Sequence, residues 1–327
     1  MCTSIRYQTE NGINFLARTM DFGFELHGQP IIIPRGYHWQ LELGGEIATK
    51  YGYVGTGRKM ENFLFADGVN EKGLAIAELY FPNEAKYESK PVEGKINLAP
   101  HEIISWILGE ISSLEELKER LSEVAIVSKE NDLLGIILPL HYILTDESGN
   151  TIVIEPDGQA LKIKENPIHV MANSPELEWH IKNLNNYIGL QPHNFKQKTV
   201  GEYAASPFGQ GSGTFGLPGG YTSPERFVRA AYLLQYTRQA STTDEGVMNI
   251  MHILGNVTIP KGVNIKDDGA DDYTQYRAIL NTTEKIYYLN NHDSNRIVTI
   301  ALTEDALSSQ EPTIYHLPKG IQLTNLN

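Results

Sequence analysis

Met1-Cys2-Thr3-Ser4-Ile5-Arg6-Tyr7-Gln8-Thr9-Glu10-Asn11-Gly12-Ile13-Asn14-Phe15-Leu16-Ala17-Arg18-Thr19-Met20-Asp21 opens the chain, and its reading decides the fold. Residues 3–9 and 13–20 are strand-like, and Asn11-Gly12 between them predicts a hairpin with a type I′ turn. A two-residue loop there sets Tyr7 opposite Leu16 and Cys2 opposite Asp21. On that register Arg18 lies opposite Ile5, on the other face, and needs a bulge or a strong twist to reach Cys2. Cys2 is the single cysteine of the chain. If Met1 is removed, Cys2 carries both a thiol and a free α-amine. An α-amine with a pKa of about 7.7–8.0 is a base suited to neutral pH, and a thiol needs such a base to become a strong nucleophile. Chain termini are commonly without function, so the rest of the sequence has to support this reading.

The chain has 327 residues, 41% hydrophobic and 20% charged, an ordinary globular composition. Its net charge of −13 argues against nucleic acid or an anionic membrane as partner, since both reward Lys/Arg patches. One cysteine cannot form an internal disulfide, so nothing points to an oxidising compartment. The first residues lack a basic region followed by an apolar one, and no secretory signal is expected. No apolar run approaches the ~18–20 residues of a membrane span. A cytoplasmic protein is expected.

Further strands are predicted at 31–33, 52–56, 74–80, 141–145, 151–155, 161–164, 168–172, 275–280, 286–290 and 296–302. Helical stripes lie between these groups. Ile103, Ile104, Ile107, Leu108 and Ile111 share one face. Capping boxes at Ser113–Glu116 and Thr242–Glu245 open helices to about 123 and 254. Ser223-Pro224-Glu225 reads as N-cap, first-turn proline and acidic first turn of a helix to about 238. Grouped strands and grouped helices predict an α+β fold. No linker or repeat divides it, so a single domain over 1–327 is expected.

Several constellations carry chemistry. Arg226 sits in a first helical turn, where a cation opposes the macrodipole by ~0.3–1 kcal/mol; it is either a solvated arginine or a guanidinium aimed at a carboxylate or substrate. Gly211, Gly213 and Gly216 match a dinucleotide loop in spacing, but no strand leads in and Pro218 blocks a helix. Asp267, Asp268, Asp271 and Asp272 lack the distant Glu of a calcium loop, since Ala278 stands at the twelfth position. Ten histidines occur without a zinc motif, so no metal is expected; a Cys–His hydrolase stays open, and His141 reads as a core residue. Asn173, before Ser174-Pro175, is either a turn residue or an amide donor to an oxyanion.

These residues together resemble the choloylglycine hydrolases, N-terminal nucleophile hydrolases that include penicillin V acylases and bile salt hydrolases. The likeness is carried by Cys2-Thr3-Ser4, Ala17-Arg18-Thr19-Met20-Asp21, Asp67-Gly68-Val69-Asn70-Glu71-Lys72-Gly73-Leu74 and Leu138-Pro139-Leu140-His141-Tyr142. It continues through Asn173-Ser174-Pro175, Phe208-Gly209-Gln210-Gly211, Ser223-Pro224-Glu225-Arg226-Phe227 and Asp272-Tyr273-Thr274-Gln275-Tyr276. The resemblance implies a four-layer αββα fold, removal of Met1, no cofactor and a homotetramer. It implies Cys2 as nucleophile with its α-amine as base, and Arg18 beside the thiol. Asp21 would hold the amine, Asn173 and the Tyr80 N–H would bind the oxyanion, and Arg226 would complete the polar network.

Tyr80 departs from bile salt hydrolases, which tend to carry Asn there in an Asn-Phe-Pro run. Tyrosine is similar to penicillin V acylases and could stack on an aromatic acyl group. Gly220 is a second departure, since relatives often have Asp after Pro-Gly. Penicillin V or a related N-acyl amide is therefore the expected substrate, with conjugated bile salts the alternative. Acyl homoserine lactones are a further amide class, and an inactive ligand-binding member is a reading of another kind. Met20, Phe24 and Leu138 are candidates for the acyl pocket by position.

Overall fold

The structure is a computed structural model that describes residues 1–327 except Glu61 and Gln159. Strand β1 spans Cys2–Gln8 and β2 spans Asn14–Phe22. They pair as the sequence predicts, but one residue out of the predicted register: Cys2 faces Met20, Ser4 faces Arg18 and Tyr7 faces Phe15. The cause is the turn. Gly12 takes a left-handed φ of 87° while Asn11 does not, so the two mirror-type residues of a type I′ turn are absent. Instead Gly12 N–H donates to Thr9 O at 3.0 Å, and Thr9 N–H donates to Ile13 O at 3.0 Å. Glycine at this left-handed position forms a bulge that moves the register by one. Side chains alternate along a strand, so this one-residue move exchanges every face. Cys2, Ser4, Arg18 and Met20 now share one face, and Thr3, Thr19 and Asp21 share the other.

β1 and β2 lie in a sheet ordered Val170–Met171, β1, β2, Tyr273–Asn281, Ile286–Asn291 and Val298–Ala301. The second sheet runs Ile163–Glu165, Thr151–Ile154, Leu140–Thr145, Ala75–Tyr80, Asp67–Asn70, Tyr53–Lys59, Gln29–Ile33 and Thr313–Ile314, with Phe63–Phe65 added to Tyr53–Lys59. Every pairing in both sheets is antiparallel.

Alternation in the second sheet explains the layers. Val54, Ala75, Ala77, Ile143 and Val153 point toward the first sheet and join Ile5, Leu16 and Ala278 in one core. Their neighbours Tyr53, Leu74, Ile76, Tyr142 and Ile152 point the other way, against Ile103, Ile107 and Leu117. Helices Ile103–Glu110 and Leu114–Arg120 thus cover the second sheet. Helices Ser223–Tyr236 and Thr243–Gly255 cover the first through Phe227, Ala230, Val247 and Ile250. The result is the four-layer αββα arrangement, with both sheets buried on two faces.

The predicted caps at Ser113 and Thr242 form, accepting the N–H of Glu116 at 3.2 Å and of Glu245 at 3.3 Å. Two local readings change. Thr222, not Ser223, is the N-cap of the Arg226 helix. The strand expected over 168–172 pairs only at Val170–Met171, and Leu177–Asn183 is a helix that the pattern did not indicate.

A Cβ at position 12 would meet no neighbour, so its cost is one of backbone geometry alone. Gly12→Ala is expected to lower the unfolding free energy by about 1–2 kcal/mol. Urea denaturation measures this; an unchanged midpoint would mean that the turn does not need the left-handed residue.

Candidate active site

The bulged hairpin brings Arg18 to Cys2. Arg18 Nη2 donates to Cys2 Sγ at 2.9 Å. Both side chains are buried, Arg18 completely. Arg18 crosses the gap between the sheets, where its Nη1 meets Asp67 Oδ2 at 3.2 Å and Ala66 O at 3.0 Å. Asp67 is itself saturated: Tyr276 Oη donates to Oδ2 at 2.7 Å, and Thr56 N–H and Tyr287 Oη donate to Oδ1. Burial pulls on the Arg18 pKa from below, but Cys2, Tyr276, Asp67 and Glu78 more than reverse this and hold it raised. A guanidinium fixed in place and always charged is a suitable partner for a thiolate.

The opposite face of the hairpin meets the helices. Asp21 is fully buried there; Thr19 Oγ1 donates to its Oδ2 at 3.1 Å and Thr274 Oγ1 to its Oδ1 at 2.5 Å. Burial raises the Asp21 pKa, while Arg226, the N-terminal amine and the two hydroxyls act against the rise. Arg226 Nη1 stands 3.9 Å from Asp21 Oδ2. Helical side chains lean toward the N-terminus, and Arg226 reaches back past the start of its helix to Tyr221 O at 2.9 Å, Cys2 O at 2.6 Å and Thr3 Oγ1 at 2.5 Å. The first-turn arginine is therefore buried in polar partners and not solvated.

Asn173 follows the Val170–Met171 strand, which pairs with β1 as Met171 with Ser4. Continuing that line carries Asn173 to Cys2. Its Oδ1 accepts from the Cys2 N–H at 2.8 Å and from Arg226 Nη2 at 2.7 Å, and its Nδ2 donates to Tyr80 O at 2.7 Å. The α-amine here belongs to Met1, which donates to Asp21 O and lies 3.6 Å from Asp272 Oδ1. Cys2 N thus meets Asn173, and the Asp21 side chain lies on the face away from the thiol. The one-residue change in register accounts for this difference from the expected Cys2–Asp21 pair.

Tyr80 stands opposite Leu140 in the second sheet. Phe81 N–H bonds Pro139 O at 2.7 Å, and Glu78 N–H bonds Ala66 O at 3.0 Å on the other side. Alternation along the strand turns the Tyr80 N–H to the Glu78 side, past the Asp67–Asn70 strand.

Cys2 lies in the wall of a pocket of about 680 Å³, counted with its open mouth. Its lining is apolar, with Met20, Phe22, Leu26, Tyr80, Leu134 and Leu138 prominent. Phe22 and Tyr80 meet edge to face with ring centroids 5.9 Å apart. Met20 and Leu138 are thus placed as expected, whereas Phe24 is 42% exposed and absent from the lining. β2 ends at Phe22, so Phe24 lies beyond the strand that carries Met20 and Phe22 into the pocket wall.

The partners of Cys2 Sγ are Arg18, Met20 Sδ and Asp21 O; none is a histidine. His141 is a core residue stacked on Phe81, 4.1 Å between ring centroids, and burial lowers its pKa. The aspartates at 267–272 form no metal-ligand group among the described residues.

Residues 2–315 match the family described as linear amide C–N hydrolases, choloylglycine hydrolase family. The chain belongs to this family. Over its whole length it is 32% identical to the bile salt hydrolase/transferase of Clostridium perfringens, with all of that chain covered. It is 33% identical to the conjugated bile acid hydrolase of Lactobacillus acidophilus, covering 96% of this chain and 100% of that one. The crystal structure of the C2A mutant of conjugated bile acid hydrolase from Clostridium perfringens superposes with a TM-score of 0.93 over 100% of both chains at 32% identity. The penicillin V acylase of Pectobacterium atrosepticum is 23% identical, covering 92% of this chain and 81% of that one.

As a choloylglycine hydrolase the chain is a linear amide C–N hydrolase. The expectation that it most resembles penicillin V acylases is overturned, since the bile salt hydrolases are clearly more similar. That expectation rested on Tyr80 alone. In the structure Tyr80 forms one apolar wall with Phe22.

Asp67 and Tyr276 were missed as site residues. Both stand in stretches that carry the family likeness, but nothing in their spacing shows that they hold Arg18. Asp67→Ala is expected to lower stability by about 3 kcal/mol, because it strands a buried charge. Tyr276→Phe removes one hydrogen bond and is expected to cost about 1 kcal/mol. Urea unfolding distinguishes the two; equal small losses would show that the ion pair is dispensable.

Proposed function

We propose that this choloylglycine hydrolase cleaves the amide bond of conjugated bile salts through an S-acyl enzyme on Cys2, after loss of Met1. The observation that carries the reading is the contact set of Cys2. Its Sγ receives Arg18 Nη2 at 2.9 Å, its N lies 2.8 Å from Asn173 Oδ1, and an apolar pocket opens beside it. Similarity to bile salt hydrolases across the whole chain favours that substrate class.

In this reading the freed Cys2 amine takes the thiol proton, and the thiolate attacks the substrate carbonyl. The Tyr80 N–H and Asn173 Nδ2 stabilise the oxyanion, a contribution of about 3 kcal/mol for a well-placed donor. The ammonium gives its proton to the leaving amine as the C–N bond breaks. Water, deprotonated by the same amine, then hydrolyses the thioester and releases the acid. Arg226 acts by holding Thr3, the Cys2 carbonyl and Asn173 in register, and Asp21 by placing its charge 3.9 Å from Arg226. The apolar acyl group occupies the pocket.

Penicillin V is the second substrate class, supported by the Phe22–Tyr80 wall, which suits an aromatic acyl group. The remaining expectations belong to the same proposal: one functional unit over 1–327, a cytoplasmic site of action and a homotetramer. No helix among the described residues is long and apolar enough to cross a membrane. Assembly would cover the exposed side chains of Val200, Tyr203, Phe208 and Phe215.

Mature protein should hydrolyse glycine- and taurine-conjugated bile acids with higher kcat/KM than penicillin V or acyl homoserine lactones. Cys2→Ala should lose at least ~10³-fold in rate while keeping its fold, and a form with Met1 retained should be inactive. Preference for penicillin V would favour the second reading. Full activity with Met1 retained would exclude the amine as base, and binding without turnover of any amide would leave a ligand-binding protein.

A further inference from the structure

Two charged side chains in the pocket wall, Arg58 and Glu78, have no part in the mechanism, and of the two only Glu78 has a buried atom without a partner among the described residues. Glu78 stands on the Ala75–Tyr80 strand, opposite Tyr142 and two residues before Tyr80, so it shares the face of Tyr80. It lines the pocket beside Cys2, otherwise bounded on this side by Leu133, Leu134, Leu138 and Leu140. Its Oε2 is sealed from solvent and has no hydrogen-bond partner among the described residues. A buried polar atom left unpaired is costly. Glu78 as a whole is half-buried and lines the pocket, so an acyl group bearing a polar partner can reach this carboxyl and offset that cost.

We propose that Glu78 is a specificity-determining residue that selects acyl groups bearing a hydroxyl deep in the pocket. The inference rests on the bile-salt amide reading above and names the part of the substrate that this chain distinguishes. The charges around the site argue for a neutral partner. Arg18 and Asp67 lie within electrostatic reach of Glu78, and Arg58 also lines the pocket. The two arginines disfavour a ligand cation, and Asp67 with Glu78 itself disfavours a ligand anion. The other titratable groups that sense Glu78 are the phenols of Tyr87 and Tyr142, and Cys2 and Tyr276 share the pocket wall. A hydroxyl both donates and accepts, so it can pair with either form of the carboxyl.

Burial pushes the Glu78 pKa up to about 8; Arg18 works against the rise and Asp67 adds to it. Below that pH the carboxyl is neutral, and an apolar acyl group can cover it at modest cost. Above it, an apolar acyl group would bury an unpaired charge, which is far more costly. Discrimination in favour of hydroxylated acyl groups therefore rises as pH passes 8.

The test compares kcat/KM for glycine conjugates of a trihydroxylated and a monohydroxylated steroid acid, in wild type, Glu78→Met and Glu78→Gln. Thermal melts confirm that each variant is folded. The ratio of trihydroxylated to monohydroxylated substrate should fall at least tenfold in E78M and stay within threefold in E78Q at pH 6.5. Between pH 6.5 and 9 the ratio should rise in wild type and stay flat in E78Q. If wild type cleaves both conjugates but E78M keeps the ratio within twofold, Glu78 does not read the hydroxyl and the bile-salt reading stands. If wild type cleaves neither conjugate, that reading fails and this inference fails with it. Should E78M not fold, a wild-type ratio that matches E78Q at every pH would overturn the proposal by itself.

Discussion

The buried contact between Arg18 and Asp67 is the interaction on which the site depends. It joins the two sheets, since Arg18 rises from β2 and Asp67 from the facing sheet. Both side chains are without solvent exposure. Such a pair costs free energy to desolvate, and it is tolerated only when its remaining hydrogen-bonding groups are satisfied. Here Tyr276, Tyr287, Thr56 and two backbone carbonyls supply those partners. What remains is one guanidinium nitrogen, and it points at Cys2 Sγ. The ion pair bridges the two sheets and aims a permanent cation at the candidate nucleophile.

The second network, on the far side of the same hairpin, works by hydrogen bonds more than by close charges. Arg226 binds the Cys2 carbonyl, Thr3 and Asn173, while its nearest carboxylate contact to Asp21 is longer. The thiol and its nitrogen are thus held with support from two further layers, the thiol by Arg18 with Asp67 of the facing sheet behind it and the nitrogen by Asn173 with helical Arg226 behind it. Gly12 couples the two. The type I′ alternative, with Asn11 as well as Gly12 at positive φ, would exchange the faces and send Arg18 toward the helices.

Much of this was legible in the sequence. The hairpin, the N-caps Ser113 and Thr242, the amphipathic stripe at Ile103–Leu108 and the oddity of a first-turn Arg226 rest on local chemistry, and each has a structural counterpart. The family likeness drew Cys2, Arg18, Asp21, Asn173 and Arg226 together, and the structure brings them into contact range. The register failed because Asn-Gly suits two turns, and the choice between them turns on whether Asn11 adopts positive φ. Asp67 was unreadable as a site residue because its partner lies across the gap between sheets, a relation that no spacing encodes. Phe24 failed because nearness in sequence to Met20 does not carry past the end of β2 at Phe22. The likeness to penicillin V acylases failed because it rested on one residue, Tyr80, whereas the chain as a whole is more similar to bile salt hydrolases.

The most direct measurement of the central claim is the rate at which iodoacetamide alkylates Cys2 at pH 7 in folded mature protein, compared between wild type and Arg18→Gln. The reagent is small and neutral, so the rate reports the reactivity of the thiol without the chemistry of any substrate. If the Asp67-held guanidinium activates Cys2, the wild-type rate should exceed that of the variant by at least tenfold. Equal rates in two folded proteins would contradict the account.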